Sequence, residues 1–397
     1  MVAVAGLRES VEEIMPGVVA DRRDFHENPE LSFQEERTAG IVADRLRSLG
    51  VEDIRTGIAG FGVTGLIRGG KGDGKVVLLR ADMDALPIDE QTGAEYASKT
   101  AGVMHACGHD AHTAILMATA RILMERRDEF AGTVKVLFQP AEEMPPGGAK
   151  PMIDAGVLQD PSVDAVFGLH MNQDGPVGTI DITPGPAMAA ADRFTIAIQG
   201  KGGHGAQPQD CVDPIVVGAQ IVTALQTLVA REVNPIHSAV VSVCAFLSGN
   251  AFNVIPDTAE LRGTVRTFTP EDRDLLERRI GELASGIGAA MGATVKADYV
   301  RGYPATVNDP AMTELVRDAA AEVVGPENVI ERPPIMGAED FAYFLQERPG
   351  CFFFIGSSNE ERGLVWGHHH PKFDIDEASL AIGVESMVRT TLRYLAD

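Results

Sequence analysis

In the middle of this chain a complete strand–helix–strand–strand–helix–strand pattern follows the turn-rich run Thr183-Pro184-Gly185-Pro186, and no other feature restricts the fold as much. Residues 193–199, 239–247, 259–268 and 294–301 read as its strands, and 213–231 and 271–291 as its helices. Ahead of this unit, helices and strands alternate singly. Residues 10–27, 33–49 and the amphipathic 111–130 read as helices, and the apolar runs 75–80, 133–138 and 164–169 as buried strands. A further strand is read at 351–355 and a helix-like segment at the end. Such alternation calls for an α/β sheet covered on both faces. Together the patterns predict a discontinuous domain over residues 1–186 and 302–397, with residues 187–301 inserted as a second domain. One continuous α/β domain is the alternative, but it leaves the coincidence of linker and complete unit unexplained.

Charge narrows the partners. Lys and Arg number 34 against 57 Asp and Glu, a net charge of -23, which argues against nucleic acid and against an anionic membrane surface. The four cysteines are far apart and show no close-paired pattern, so a reducing compartment is expected. Residues 1–7 lack a basic stretch followed by a long apolar run, and the most apolar helix-like segment, read at 111–124, is too short to span a bilayer. The expected setting is the cytoplasm, without membrane attachment.

Histidine makes the sequence specific. Of the ten, His105, His109 and His112 crowd around Cys107, and His368, His369 and His370 precede Pro371. A thiolate and an imidazole two residues apart can reach one cation, and both are preferred ligands of zinc and related metals. Glu142 and Glu143 follow the strand 133–138, where one carboxylate can bind a metal while the other faces a water; alone, such a pair would be ordinary surface charge. His170 follows the strand 164–169, and a lone His is usually structural. Asp82 and Asp84 follow the strand 75–80 and read as ligands or, better, as carboxylates that orient a ligating His. Position links them: three strands deliver metal-type side chains to their carboxyl ends, where ligands gather in open α/β sheets.

The segments Arg80-Ala-Asp-Met-Asp-Ala-Leu-Pro87, Met104-His-Ala-Cys-Gly-His-Asp-Ala-His112, Gln139-Pro-Ala-Glu-Glu143 and Gly200-Lys-Gly-Gly-His-Gly-Ala206 resemble the amidohydrolase family of hippurate hydrolase, indoleacetyl-amino-acid hydrolase and N-acyl-L-amino-acid amidohydrolase. So do Asn253-Val-Ile-Pro256, Gly263-Thr-Val-Arg-Thr-Phe268 and Gly337-Ala-Glu-Asp-Phe341, and the resemblance runs over residues 23–383. It implies a metallopeptidase-like catalytic domain, a mixed sheet flanked by helices, and an inserted ferredoxin-like βαββαβ domain acting as lid and dimerisation element. It implies two divalent metal ions (zinc, manganese, cobalt or nickel) held by Cys107, His109, Glu143, His170 and His369, with Cys107 bridging. His369 is chosen among its neighbours because the family's ligand stands one residue before a residue-proline step, here ending in Pro371. Glu142 matches the general base and Asp84 a carboxylate behind the ligands. His204 matches a residue that contacts the reacting carbonyl, often from the partner subunit, and Asn253 and Arg266 match positions near the substrate's carboxylate.

The implied reaction is hydrolysis of the amide bond of N-acyl amino acids, or related small amide conjugates, by a homodimer or dimer-based oligomer. Dipeptidase- or carboxypeptidase-like cleavage, and deacetylation of an N-acetylated amino-acid precursor, are alternatives within the family. Outside it stand two others. A cysteine hydrolase built on Cys107 would survive chelation, and a non-catalytic metal protein would not need Glu142 outside its ligand set.

Overall fold

The computed structural model describes residues 6–396; residues 1–5, part of the stretch read for a leader pattern, lie outside the described residues. In chain order the elements are α1 (Leu7–Glu27), α2 (Glu36–Leu49), β1 (Glu52–Ile58), β2 (Gly62–Arg68), β3 (Val76–Asp82), α3 (His109–Glu125), β4 (Thr133–Gln139), α4 (Ala149–Asp154), β5 (Ala165–Pro176), β6 (Ile180–Ile182) and β7 (Gly185–Met188). Next come β8 (Ala190–Gln199), β9 (Gly203–His204), α5 (Pro214–Thr227), β10 (Ala239–Ser248), β11 (Val254–Ile255), β12 (Thr258–Thr267), α6 (Pro270–Ala290) and β13 (Thr294–Arg301). The chain finishes with β14 (Thr306–Asn308), α7 (Pro310–Val324), β15 (Val329–Glu331), α8 (Ala342–Glu347), β16 (Gly350–Ser358) and α9 (Ala378–Ala396). Two compact units result. One comprises Met1–Ala187, Val307–Pro333 and Asp340–Asp397; the other comprises Met188–Thr306 and Pro334–Glu339.

The first unit is built on an eight-stranded mixed sheet in the order β1-β2-β4-β3-β5-β16-β6-β15. Its centre is parallel: β3 pairs with β4 and β5, and β5 with β16. Both faces of these strands are covered, which is why they read as unbroken apolar runs. Strands β3 and β4 finish together, Asp82 opposite Gln139, so the loops that follow leave from one edge. Helices α1, α3 and α9 pack together, with α3 against β3, β4 and β5. The amphipathic reading of 111–130 needs correcting here. Helix α3 begins at His109 and is buried nearly all round, because α1, α2 and α9 enclose it. The strand read as ending at Leu169 also runs on to Pro176, because β16 continues beside it through Phe354 opposite His170. Pairing of β5 with β3 stops at Gly168, opposite Arg80, so by register His170 stands level with Asp82, the last residue of β3.

The second unit is the βαββαβ element: β8, α5, β10, β12, α6 and β13 form an antiparallel sheet in the order β10-β12-β8-β13. Its core joins Phe194, Ile196 and Leu261 of the sheet to Ile221 and Leu225 of α5 and Leu276 and Ile280 of α6. Asp213 caps α5 by accepting from the N–H groups of Ile215 and Val216. The helical stretch Pro214–Glu232, and not the segment 111–124, is long and apolar enough, by length and composition alone, to cross a membrane. Its inner face lies on the sheet, while Ile215 and Val216 are exposed.

Candidate metal centre

Five side chains of the first unit converge beside the carboxyl ends of its strands. Ligand atoms of Cys107, His109 and His170 lie within 4.8 Å of one another, and so do those of Cys107, Glu143 and His369. The two groups share Cys107. A third group of the same closeness joins His109, Glu142 and Glu143. Cys107 and His109 flank Gly108, which has φ +98°, and a Cβ there would come within 3.0 Å of the Met171 side chain. Only glycine lets the chain turn this tightly from Cys107 into α3 against β5. His369 reaches the group through its own N–H, which donates to Ala106 O at 2.8 Å.

Hydrogen bonds set which nitrogen each imidazole presents. His109 Nδ1 donates to Asp84 O at 2.9 Å, so Nε2 is the ring nitrogen left to face the cluster. His170 Nδ1 donates to Met171 O at 2.7 Å, leaving Nε2 toward Cys107 Sγ at 3.5 Å. His112, which the sequence reading gave no role, accepts from Met171 N–H at 2.8 Å through Nε2 and donates from Nδ1 to Asp82 Oδ1 at 2.6 Å. It thereby holds the backbone next to His170. Asp82 is further tied to Arg80 at 2.5 Å, and Asp84 accepts from the N–H groups of Glu142 and Glu143, both at 3.0 Å. Among the three clustered histidines, His368 is half-buried and accepts from Gln173 N–H, and His370 stacks on Trp366 with ring centres 4.3 Å apart. Neither joins the cluster.

The residues fit divalent cations. Among the described residues His109 Nε2 and Glu143 Oε1 are buried atoms without an assigned hydrogen-bond partner, and His369 Nε2 approaches that oxygen to 3.2 Å. Burial, then Glu143 and Glu142, push the Cys107 thiol well above its ordinary value. Burial acts against a charged His109, yet Asp82, Asp84 and Glu143 raise it to about 10, which measures the pull of this site on positive charge. Burial also keeps His170 well below the ordinary imidazole value and so available as a neutral ligand. One thiol, imidazoles and carboxylates form a donor set suited to borderline metals.

The remaining candidates belong to the second unit. Val254 pairs with His204 in the β9–β11 ribbon, and Gly205 N–H donates to Asn253 O at 2.9 Å, so His204 and Asn253 are neighbours. Both are exposed. Ala206 N–H donates to His204 Nδ1 at 3.0 Å, which leaves the ring proton on Nε2. Arg266, near the far end of β12, donates to Met336 O at 3.2 Å, Val265 O at 3.0 Å and the Thr264 hydroxyl. Asn253 and Arg266 are therefore not brought together within one copy of the unit.

A profile of Peptidase family M20/M25/M40 matches residues 78–393. YhaA of Bacillus subtilis (strain 168) is 48% identical over 396 residues, 99% of each chain. N-acetylcysteine deacetylase of the same organism is 43% identical over 361 residues, 91% of this chain and 92% of that one. Among solved structures, the YXEP protein of Bacillus subtilis, described as a dinuclear metal-binding peptidase, superposes with a TM-score of 0.83 at 38% identity, covering 97% of this chain and 99% of the other.

Proposed function

Since the chain belongs to Peptidase family M20/M25/M40 and is a hydrolase acting on amides, we propose that it cleaves the amide bond of N-acyl amino acids or related small amide conjugates. The observation that carries this reading is Glu142. It is a buried carboxylate whose backbone is pinned by Asp84, and it lies outside both groups that share Cys107. Cys107, His109, Glu143, His170 and His369 would hold two divalent cations, with Asp84 orienting His109. Bound there, the cations would supply the acidity that lets a water lose a proton near neutral pH. Glu142 takes that proton on its carboxylate and returns it to the leaving nitrogen. The Nε2–H of His204 serves as donor to the carbonyl oxygen as it gains charge. Arg266 binds a free carboxylate, and Asn253 contributes a polar contact. A thiol nucleophile at Cys107 is disfavoured, because a reactive cysteine needs a lowered pKa and this one is raised. Exposed Met144 beside Glu143, and Val365 and Trp366 just before His369, support an apolar acyl group.

Geometry within the second unit favours a shared site. From Thr258 to Arg266 β12 is continuous, so at about 3.3 Å per residue the two lie roughly 26 Å apart. The ribbon carrying His204 and Asn253 is fixed at the Thr258 end, where Gly200 N–H donates to Asp257 O. A small substrate cannot span that length. We therefore place His204 and Asn253 of one copy with Arg266 of another, in a homodimer. The unpaired edge of β10, with Phe246 and Leu247 exposed, and the outer face of α5 support self-association. The acidic charge and scattered cysteines support a cytoplasmic setting.

The test is turnover of N-acetyl, N-benzoyl and indoleacetyl amino acids, set beside dipeptides with a free amine, with metal content measured on the same samples. Faster cleavage of the dipeptides would overturn the acyl preference in favour of a peptidase. Glu142→Ala is expected to keep its metal and lose about a thousandfold in kcat; turnover near wild type would remove Glu142 from the base role.

A further inference from the structure

The amides of three consecutive residues, Ala141, Glu142 and Glu143, each donate to a buried carboxylate. Ala141 N–H donates to Glu35 Oε1 at 2.8 Å, while the next two go to the separate oxygens of Asp84. Successive N–H groups converge in this way around a left-handed residue, and Ala141 has φ 55°. That conformation costs an alanine about 1–2 kcal/mol, so something must hold it. Asp84 has other work, because it also accepts from the Ser32 hydroxyl at 2.6 Å and orients His109. Glu35 does not. It is fully buried, forms an ion pair with no cation among the described residues, and makes no capping bond to α2, which starts beside it. Among the described residues it also accepts from Phe33 N–H at 3.0 Å, a residue likewise in the left-handed region at φ 62°. Burial pushes Glu35 up to about 7. A carboxyl kept dry without a cation is costly, and what its oxygen holds are two left-handed turns, at Phe33 and at Ala141, the second adjoining Glu142.

We propose that Glu35 is a positioning residue for Glu142: by holding the Ala141 N–H it keeps the turn left-handed and so sets where the Glu142 carboxylate points. This rests on the reading of Glu142 as the base. Removing the acceptor with Glu35→Ala frees Ala141 to relax, and kcat should fall roughly 10- to 100-fold, the scale of a small misplacement of a reacting group. KM should change less than about twofold, because a change that acts only on the placement of the base leaves ground-state binding of the substrate unaltered. Metal content should stay at the wild-type ratio. Glu35→Gln keeps an oxygen for the Ala141 N–H and should recover most of kcat. In a Glu142→Ala background, Glu35→Ala should slow the enzyme no further. If Glu35→Ala does not fold, Glu35→Leu fills similar volume without an acceptor and carries the same expectations. Unchanged kcat, lost metal, Glu35→Gln as slow as Glu35→Ala, or further slowing in the double variant would each overturn the positioning role while leaving Glu142 as base intact. Wild-type turnover by Glu142→Ala alone would instead overturn the base reading and this proposal with it.

Discussion

Cys107 has a buried thiol that its surroundings hold in the protonated form, between two ligand groups that both require it. A thiol in that position makes sense as a ligand that gives up its proton when cations arrive, since metal binding and deprotonation are coupled. Cys107→Ala should therefore reduce metal content by at least about half, measured by elemental analysis of dialysed protein, because each proposed ion loses a ligand. Full stoichiometry in that variant would remove Cys107 from the centre. At this scale the sequence was informative where residue type alone carries the chemistry. A cysteine and histidines in one short motif, and paired glutamates after a strand, stand out without any geometry. His112 did not stand out as a support, although it lies inside the same motif, because its role depends on one ring nitrogen accepting from Met171 N–H. Glu35 left no signal at all: an acidic residue at a helix start looks like a solvated charge until the fold buries it.

Among the elements, α1 gives the metal centre its support from behind. Arg22 is fully buried in that helix and donates to Asp110 Oδ2 at 2.8 Å and to Asp374 Oδ1 at 2.7 Å. Asp110 is the neighbour of His109 in the first turn of α3, so one guanidinium joins α1, α3 and the segment before α9. Arg22→Met would leave Asp110 buried and short of its main counter-charge, a change that typically costs about 3–5 kcal/mol. The urea midpoint should fall correspondingly at fixed metal concentration. A midpoint within error of wild type would mean that His26, which also meets Asp110 at 2.8 Å, suffices alone. The central strands were legible because burial on both faces makes them continuous apolar runs. The β1–β2 hairpin was missed: β1 is largely exposed and polar at the sheet edge, and β2 contains two glycines. The β9–β11 ribbon has two residues per strand, too few for any periodicity. The overrun of β5 depends on how far β16 extends beside it, which no local pattern records.

For the whole molecule, the βαββαβ order was readable from strand and helix periods alone, whereas the placement of His204 and Arg266 toward opposite ends of the second unit's sheet was not. It follows from strand register, which fixes Arg266 opposite Ala191 and leaves the His204 ribbon at the other end of the sheet. That separation leads to a prediction no single variant can make. His204→Ala and Arg266→Ala should each be nearly inactive as pure proteins. If a site takes His204 from one copy and Arg266 from the other, a mixed dimer contains one site with both residues intact and one with neither. After dissociation and reassociation of an equal mixture, half the dimers are mixed and half of their sites work, so about a quarter of wild-type activity should return in a two-fold symmetric dimer. Recovery should require subunit exchange and should track the mixed species resolved by native mass spectrometry. A mixture that stays inactive after exchange is demonstrated would mean that both residues serve the same copy, and the roughly 26 Å along β12 would then have to be closed by a rearrangement inside the second unit itself.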